Sequence, residues 1–148
     1  MDKINEYAFP VKGMFTNKKN GSDYKLLSSN VIDVTNLRNN TVSCLYISPD
    51  NKLFVREAAE YFTKFTMKVT DEEEVEDSTE VINFPVKNTF RNIKSSRIYN
   101  LLSSDVIDAT NDRRSITVCI YVSLHDNKIY VREASEFFSK YELLVNKE

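Results

Sequence analysis

The residues best suited to recognising a ligand occur as a matched pair of sets. Tyr46, Phe54 and Arg56 stand in one half of the chain, and Tyr121, Tyr130 and Arg132 stand at the same relative places in the other. In a strand, successive side chains point to opposite faces. On that rule Leu45, Ile47, Leu53 and Val55 point into a core, while Cys44, Tyr46, Phe54 and Arg56 point away from it. The second half sorts alike, with Ile120, Val122, Ile129 and Val131 inward and Cys119, Tyr121, Tyr130 and Arg132 outward. Two aromatics beside a guanidinium suit stacking on a base or a peptide side chain while the arginine pairs a phosphate or carboxylate. The competing reading is structural: a helix or the other half covers the aromatics, and Arg56 is tied to Glu57 or Glu60.

A second candidate is basic. Lys18, Lys19 and Lys25 correspond roughly to Arg91, Lys94 and Arg97, and Arg113 and Arg114 add to them. Such a patch is either solvated surface or a contact for nucleic-acid phosphate or an acidic protein. Catalysis has less to stand on. His125 is the single histidine, without a counterpart in the first half, and the two glycines exclude a phosphate-binding glycine loop. No cysteine pair or second histidine offers a zinc site. The expectation is a non-enzyme with no catalytic residues, no metal and no cofactor. Asp33 and Asp108, each closing a Val-Ile-Asp run, read as turn formers.

These residues sit on elements that the chain also writes twice. Phe9-Pro10-Val11-Lys12 returns as Phe84-Pro85-Val86-Lys87, and Leu26-Leu27-Ser28-Ser29 returns as Leu101-Leu102-Ser103-Ser104. Asn51-Lys52-Leu53-Phe54-Val55-Arg56-Glu57-Ala58 returns as Asn127-Lys128-Ile129-Tyr130-Val131-Arg132-Glu133-Ala134, after one extra residue in the preceding turn. A recurrence of this kind marks an internal duplication. Within a unit, residues 6–11, 24–27, 31–35, 42–48 and 53–56 read as short strands, with a bulge at Ser28-Ser29-Asn30 and a loop over 17–23. Ala58, Tyr61, Phe62 and Phe65 fall on one helical face, and Phe65, Met67 and Val69 then alternate as a last strand. A helix of two to three turns is not stable alone, so packing must hold it.

The fold class that follows is mainly β with one short helix per repeat: tandem SH3-like small β-barrels, the first over 1–70 and the second over 81–148. Between them, 71–80 is an acidic linker. Residues 66–80 carry a balance of −6, leaving +4 for the rest of a chain whose net charge is −2. Ten coil residues reach roughly 16–19 Å, enough for two small barrels to lie side by side. A unit of this size is marginal alone, so packing of the repeats together as a pseudo-dimer is compatible with the sequence but not required by it. Cys44 and Cys119 hold equivalent places and read as reduced thiols. With no signal-peptide pattern and no apolar run of membrane-spanning length, a soluble cytoplasmic protein is expected.

The order Phe-Pro-Val-Lys, Tyr24-Lys25-Leu26-Leu27, Leu45-Tyr46 and Leu53-Phe54-Val55-Arg56, with a Phe in the next helix, resembles a small bacterial family of uncharacterised domains. That family carries a Tyr-x-Val-Leu strand and a Leu-Trp-Val-Arg-Pro strand end. Tyr99-Asn100-Leu101-Leu102, Ile120-Tyr121 and Ile129-Tyr130-Val131-Arg132 resemble it equally. The family's Trp is Phe54 or Tyr130 here, and its Pro is Glu57 or Glu133. The resemblance implies the fold and brings no function with it.

The functional expectation is therefore a tandem-repeat binding protein, a protein–protein adapter or inhibitor using the aromatic/Arg hairpin face, with a protein or peptide as partner. The alternative is a nucleotide or nucleic-acid binding or sequestering protein, of the kind a mobile element carries.

Overall fold

The computed structural model describes residues 6–35, 41–68, 80–110 and 116–144. The first half runs β1 (Glu6–Pro10), β2 (Gly13–Asn17), β3 (Asp23–Asp33), β4 (Thr41–Ile47), β5 (Leu53–Glu57), α1 (Ala58–Lys64) and β6 (Phe65–Met67). The second repeats that order as β7 (Val81–Pro85), β8 (Asn88–Asn92), β9 (Ile98–Asp108), β10 (Ile116–Ser123), β11 (Ile129–Glu133), α2 (Ala134–Lys140) and β12 (Tyr141–Leu143).

Six of these strands close a single barrel. β3, β4 and β5 pair antiparallel, as do β9, β10 and β11. Two short parallel seams join the sets: β5 on β9 through Phe54↔Ile107 and Val55↔Asp108, and β11 on β3 through Tyr130↔Ile32 and Val131↔Asp33. The interior is one apolar cluster drawn from both halves, including Leu27, Val31, Leu45 and Val55 with Leu102, Val106, Ile120 and Val131. Phe9 and Phe84 belong to it and meet edge to face at 5.0 Å, because β1 and β7 pair antiparallel with each other. The recurrent Phe-Pro-Val-Lys segments thus lie against one another.

Instead of two free-standing SH3-like barrels, one closed barrel takes three strands from each half. The reason is that both faces of the β3–β4–β5 sheet are largely covered. One face packs on the other half, and the opposite face packs on its own β2, α1 and β6. On that second side the strand order is β6-β2-β3-β4-β5, with α1 between β5 and β6, and the second half has the matching order β12-β8-β9-β10-β11. Each array encloses its own aromatic cluster: Phe15, Leu26, Cys44, Tyr46, Tyr61 and Phe65 in the first, and Phe90, Leu101, Cys119, Tyr121, Phe137 and Tyr141 in the second.

The bulge at Ser28-Ser29-Asn30 makes this double duty possible. β3 is continuous, but its register against β4 shifts between Leu26 and Ser28 and again before Val31. Ser28 Oγ accepts the Asn30 N–H at 3.2 Å, and Ser103 Oγ accepts that of Asp105 at 3.2 Å. A bulge bends its strand, so the first part of β3 serves its own array and the last part reaches β11. β2 and β8 were not legible as strands. Each turns back through an Asx turn, in which Asn17 Oδ1 accepts the Lys19 and Asn20 N–H groups and Asn92 Oδ1 accepts those of Lys94 and Ser95.

Asp33 and Asp108 are more than turn formers. Both are buried at the parallel seams. Asp33 Oδ1 accepts the Thr35 N–H at 3.0 Å, and Thr35 Oγ1 accepts the Glu133 N–H at 3.0 Å, just ahead of α2 in the other half. Asp108, Thr110 and Glu57 repeat the arrangement at 3.1 and 2.9 Å ahead of α1. An Asp-x-Thr segment from each half therefore satisfies a backbone donor at the helix start of the other.

Candidate binding surfaces

Tyr46 and Tyr121, read as outward from strand alternation, are 2% and 0% exposed. The alternation holds, but the face it opens is roofed by the helix and the two outer strands. Tyr46 lies 4.8 Å from the Tyr61 ring and 5.2 Å from Phe65; Tyr121 lies 4.7 Å from Phe137 and 5.3 Å from Tyr141. Phe54 and Tyr130 are half-buried and stack on Tyr46 and Tyr121 at 5.7 and 5.9 Å. Both arginines are engaged as well. Arg56 Nη1 donates to Glu60 and Arg132 Nη1 to Glu136, each at 3.0 Å, and each guanidinium lies 5.8 Å from the centroid of the Phe65 or Tyr141 ring. The six residues come together as two clusters, one per half, whose geometry ties each helix to its hairpin.

Burial sets the chemistry of these clusters. Desolvation pushes the Cys44 and Cys119 thiols up to about 12, so both stay protonated and unreactive at neutral pH; both are free. Tyr46 is likewise raised to about 12 by burial, against the lowering effect of Arg56. Tyr61 and Tyr121 are raised too, chiefly by desolvation. None of these groups is poised for acid–base work near pH 7.

The basic set is spread out. Lys18, Lys19, Lys94 and Arg97 are exposed on the turns that end β2 and β8. Lys25 is bound to Glu80 at 2.6 Å, and Arg91 holds Glu142 through Nε at 2.9 Å and through Nη2. Arg113, Arg114 and the linker apart from Glu80 lie outside the described residues. One cavity, of about 380 Å³, joins the two candidate sets, since Lys94, Lys140, Ser139 and Arg132 line it together.

Exposed apolar side chains supply what the sequence reading missed. Phe62 and Phe138, expected on the buried helix face, are 49% and 50% exposed. The helices end after seven residues, and Phe65 and Tyr141 enter the core from the following strands instead. Phe62 and Met67 flank Phe15, and Phe138 and Leu143 flank Phe90. Met67 and Leu143 are also about half exposed. The i, i+3, i+4, i+7 stripe assumes a helix reaching Phe65 and Tyr141, and nothing in the spacing shows that the helices stop at Lys64 and Lys140.

Among the described residues no group of three His, Cys, Asp or Glu side chains could hold a metal ion, and no helix is long and apolar enough to cross a membrane. Comparison with protein-family models, with curated proteins and with solved structures finds no match to this chain.

Proposed function

We propose that the chain is a non-enzymatic binding protein of two SH3-like units, 1–70 and 81–148, fused back to back and joined by the acidic segment 71–80. Its partner is a protein, held at two copies of one apolar patch: Phe62 with Met67, and Phe138 with Leu143. The strand order β6-β2-β3-β4-β5, with a short helix before the last strand, supports the SH3-like reading. The likeness to the small bacterial domain family belongs to the same proposal.

The observation that carries the function is the paired exposure of Phe62 and Phe138. In each half the other cluster aromatics are buried or half-buried, while this ring is left half in water at the same place. Large aromatics left exposed beside a second apolar residue mark contact surfaces. Tyr46, Phe54, Arg56 and their counterparts act beneath the patch, holding the helix that presents it. Two linked patches give an adapter or inhibitor avidity beyond that of either alone.

The test is capture of partners from a lysate of the source organism by wild type, Phe62→Ser, Phe138→Ser and the double variant. Proteins retained by wild type should be lost by the double variant and partly lost by each single one. Retention should persist as salt rises from about 50 to about 200 mM, a change that strips phosphate-bound nucleic acid. An identical set retained by the double variant overturns the proposal. The cavity of Arg132, Lys94 and Lys140 favours the second reading, nucleotide or nucleic-acid binding. Salt-sensitive retention of nucleic acid would establish that one instead.

A further inference from the structure

The two halves differ at one place where the fold makes them equivalent. In the second half, Asn100 is buried on β9, accepts from Thr89 Oγ1 at 2.8 Å and donates to the Tyr7 hydroxyl at 3.4 Å. The β10–β11 turn closes over this plug, because the Leu124 N–H donates to the Ile98 carbonyl at 3.0 Å. At the equivalent place beside the first-half hairpin the same four positions are Met14, Lys25 and Pro49 with Ile82 of β7. None of the plugging hydrogen bonds can form. Continuing the ladder beyond Lys25↔Ile47 sets Asp23 against Pro49, which has no N–H to give. The Asp23 carbonyl therefore cannot receive the bond that Ile98 receives. What stands there is a cavity of about 340 Å³ with Met14, Ile47, Pro49 and Ile82 as its apolar wall.

Its rim is charged but already neutralised. Lys25 is paired with Glu80 at 2.6 Å, and the Asp23 carboxylate takes Lys68 at 2.9 Å and the Thr16 hydroxyl at 2.7 Å. A charged ligand group finds no unmatched counterion in these pairs. An uncharged apolar group finds a wall, and an N–H group finds a strand-edge carbonyl. We infer that this cavity is a peptide-binding pocket, taking one uncharged aliphatic side chain of an extended segment whose own N–H donates to the Asp23 carbonyl. Backbone pairing at a strand edge with a side chain in an adjoining pocket is an established recognition mode. Among the described residues the equivalent place in the second half is filled by Tyr7, Thr89 and Asn100. The pocket is separate from the paired helix patches and stands or falls without them.

The probe is acetyl-Gly-Leu-Gly-amide, titrated into the ¹⁵N-labelled full chain and followed by amide chemical shifts. Shifts are expected at Met14, Lys25, Ile47, Asn51 and Ile82, with affinity unchanged between low and moderate salt. Replacing the leucine by alanine, or methylating its nitrogen, should each weaken binding by about tenfold or more. The variant Met14→Thr/Lys25→Asn/Pro49→Leu/Ile82→Tyr grafts the second-half plug and should abolish the shifts while leaving the Thr89, Asn100 and Leu124 amide resonances unchanged. Ile82→Tyr alone, which only fills space, serves if the graft fails to fold. The Phe62→Ser/Phe138→Ser variant should bind the tripeptide as wild type does, so the two proposals fail separately. No pocket shifts at saturating peptide, equal shifts in the filled variant, or shifts at Thr89, Asn100 and Val122 instead would overturn the inference.

Discussion

In the first half the ring pair beneath the helix is Tyr61 on Phe65; in the second it is Phe137 on Tyr141. The stacks are equal in geometry, 4.3 Å between centroids with interplanar angles of 13° and 12°. Only the hydroxyl has moved, and its partners have moved with it. Tyr141 Oη shares a 3.2 Å hydrogen bond with Tyr121, whereas Arg56 Nε donates to Tyr46 Oη at 3.4 Å. Among the described residues the buried groups left without a partner differ: the Thr41 and Tyr61 hydroxyls in the first half, Arg132 Nε in the second. Ring packing is thus held in common, while polar satisfaction varies from half to half. Dispersion and burial depend on shape, which both sequences supply. A hydrogen bond depends on where a single oxygen falls.

The largest expected effect tests whether the halves are one folding unit. Leu45→Ala empties space in the shared barrel and should cost about 2–5 kcal/mol. Because Leu45 packs in a core built from both halves, near-UV and far-UV circular dichroism should report one shared transition. Two separate transitions would break the comparison at its base.

Next come the seams. Thr35→Val and Thr110→Val each strip the acceptor from a helix-start N–H of the other half, at Glu133 and Glu57 respectively. Each should cost about 1–3 kcal/mol, the range for a buried donor left unpaired. Chemical denaturation should give equal losses; a loss confined to one variant would mean that the seams are not equivalent.

Alkali acts on both halves alike. The folded-state values for Cys44 and Cys119 are raised from 9.0 to about 12. The unfolded chain therefore releases these protons first. Their stabilising contribution is fully present below about pH 9 and is lost as pH rises toward 12, at about 1.4 kcal/mol per pH unit per group. Denaturation curves from pH 8 to 10 should show this fall and Cys44→Ala/Cys119→Ala should flatten it; above about pH 10 the buried Tyr46, Tyr61 and Tyr121 add a fall that the variant keeps.

Smaller effects separate the halves. Tyr61→Phe deletes the unpartnered hydroxyl and should stabilise by about 1 kcal/mol. Tyr141→Phe removes a made bond but leaves Tyr121 Oη for Arg132 Nε, so its change should be smaller and of opposite sign. Smallest is the turn after β8. Gly21 and Ser96 hold the same left-handed backbone, φ 75° and 68°, and only glycine does so without steric cost. Ser96→Gly should add up to about 1 kcal/mol in thermal melts, and Gly21→Ser should remove as much.

Most strand positions, the bulge and the two helices follow from residues read in order. Alternation sorted Leu45 from Tyr46 correctly as to opposite faces. It could not tell which face is solvent, because both are covered, one by residues about 20 places along the chain and the other by residues about 75 places away. β2 was hidden because Gly13-Met14-Phe15-Thr16-Asn17 has little strand propensity; its pairing with β3 and β6 is what makes it a strand. Of the candidate site, the arginine–glutamate option was visible at i, i+4 spacing, and the structure selects Glu60 over Glu57 as the hydrogen-bonded partner of Arg56. The pocket at Pro49 lay beyond reach, since it exists only by contrast with a plug assembled from Tyr7, Thr89 and Asn100.

Local chemistry, then, was determined by the sequence: which residues alternate, where a chain lacking a donor must turn, which thiols lack a neighbour to pair with. Tertiary structure alone decided that the two units share one barrel and that the aromatic/Arg face lies under a helix. It also left Phe62 and Phe138 in water. The physical reason is that a strand's pattern records that a face is buried, whereas the identity of what buries it is a property of distant surfaces meeting.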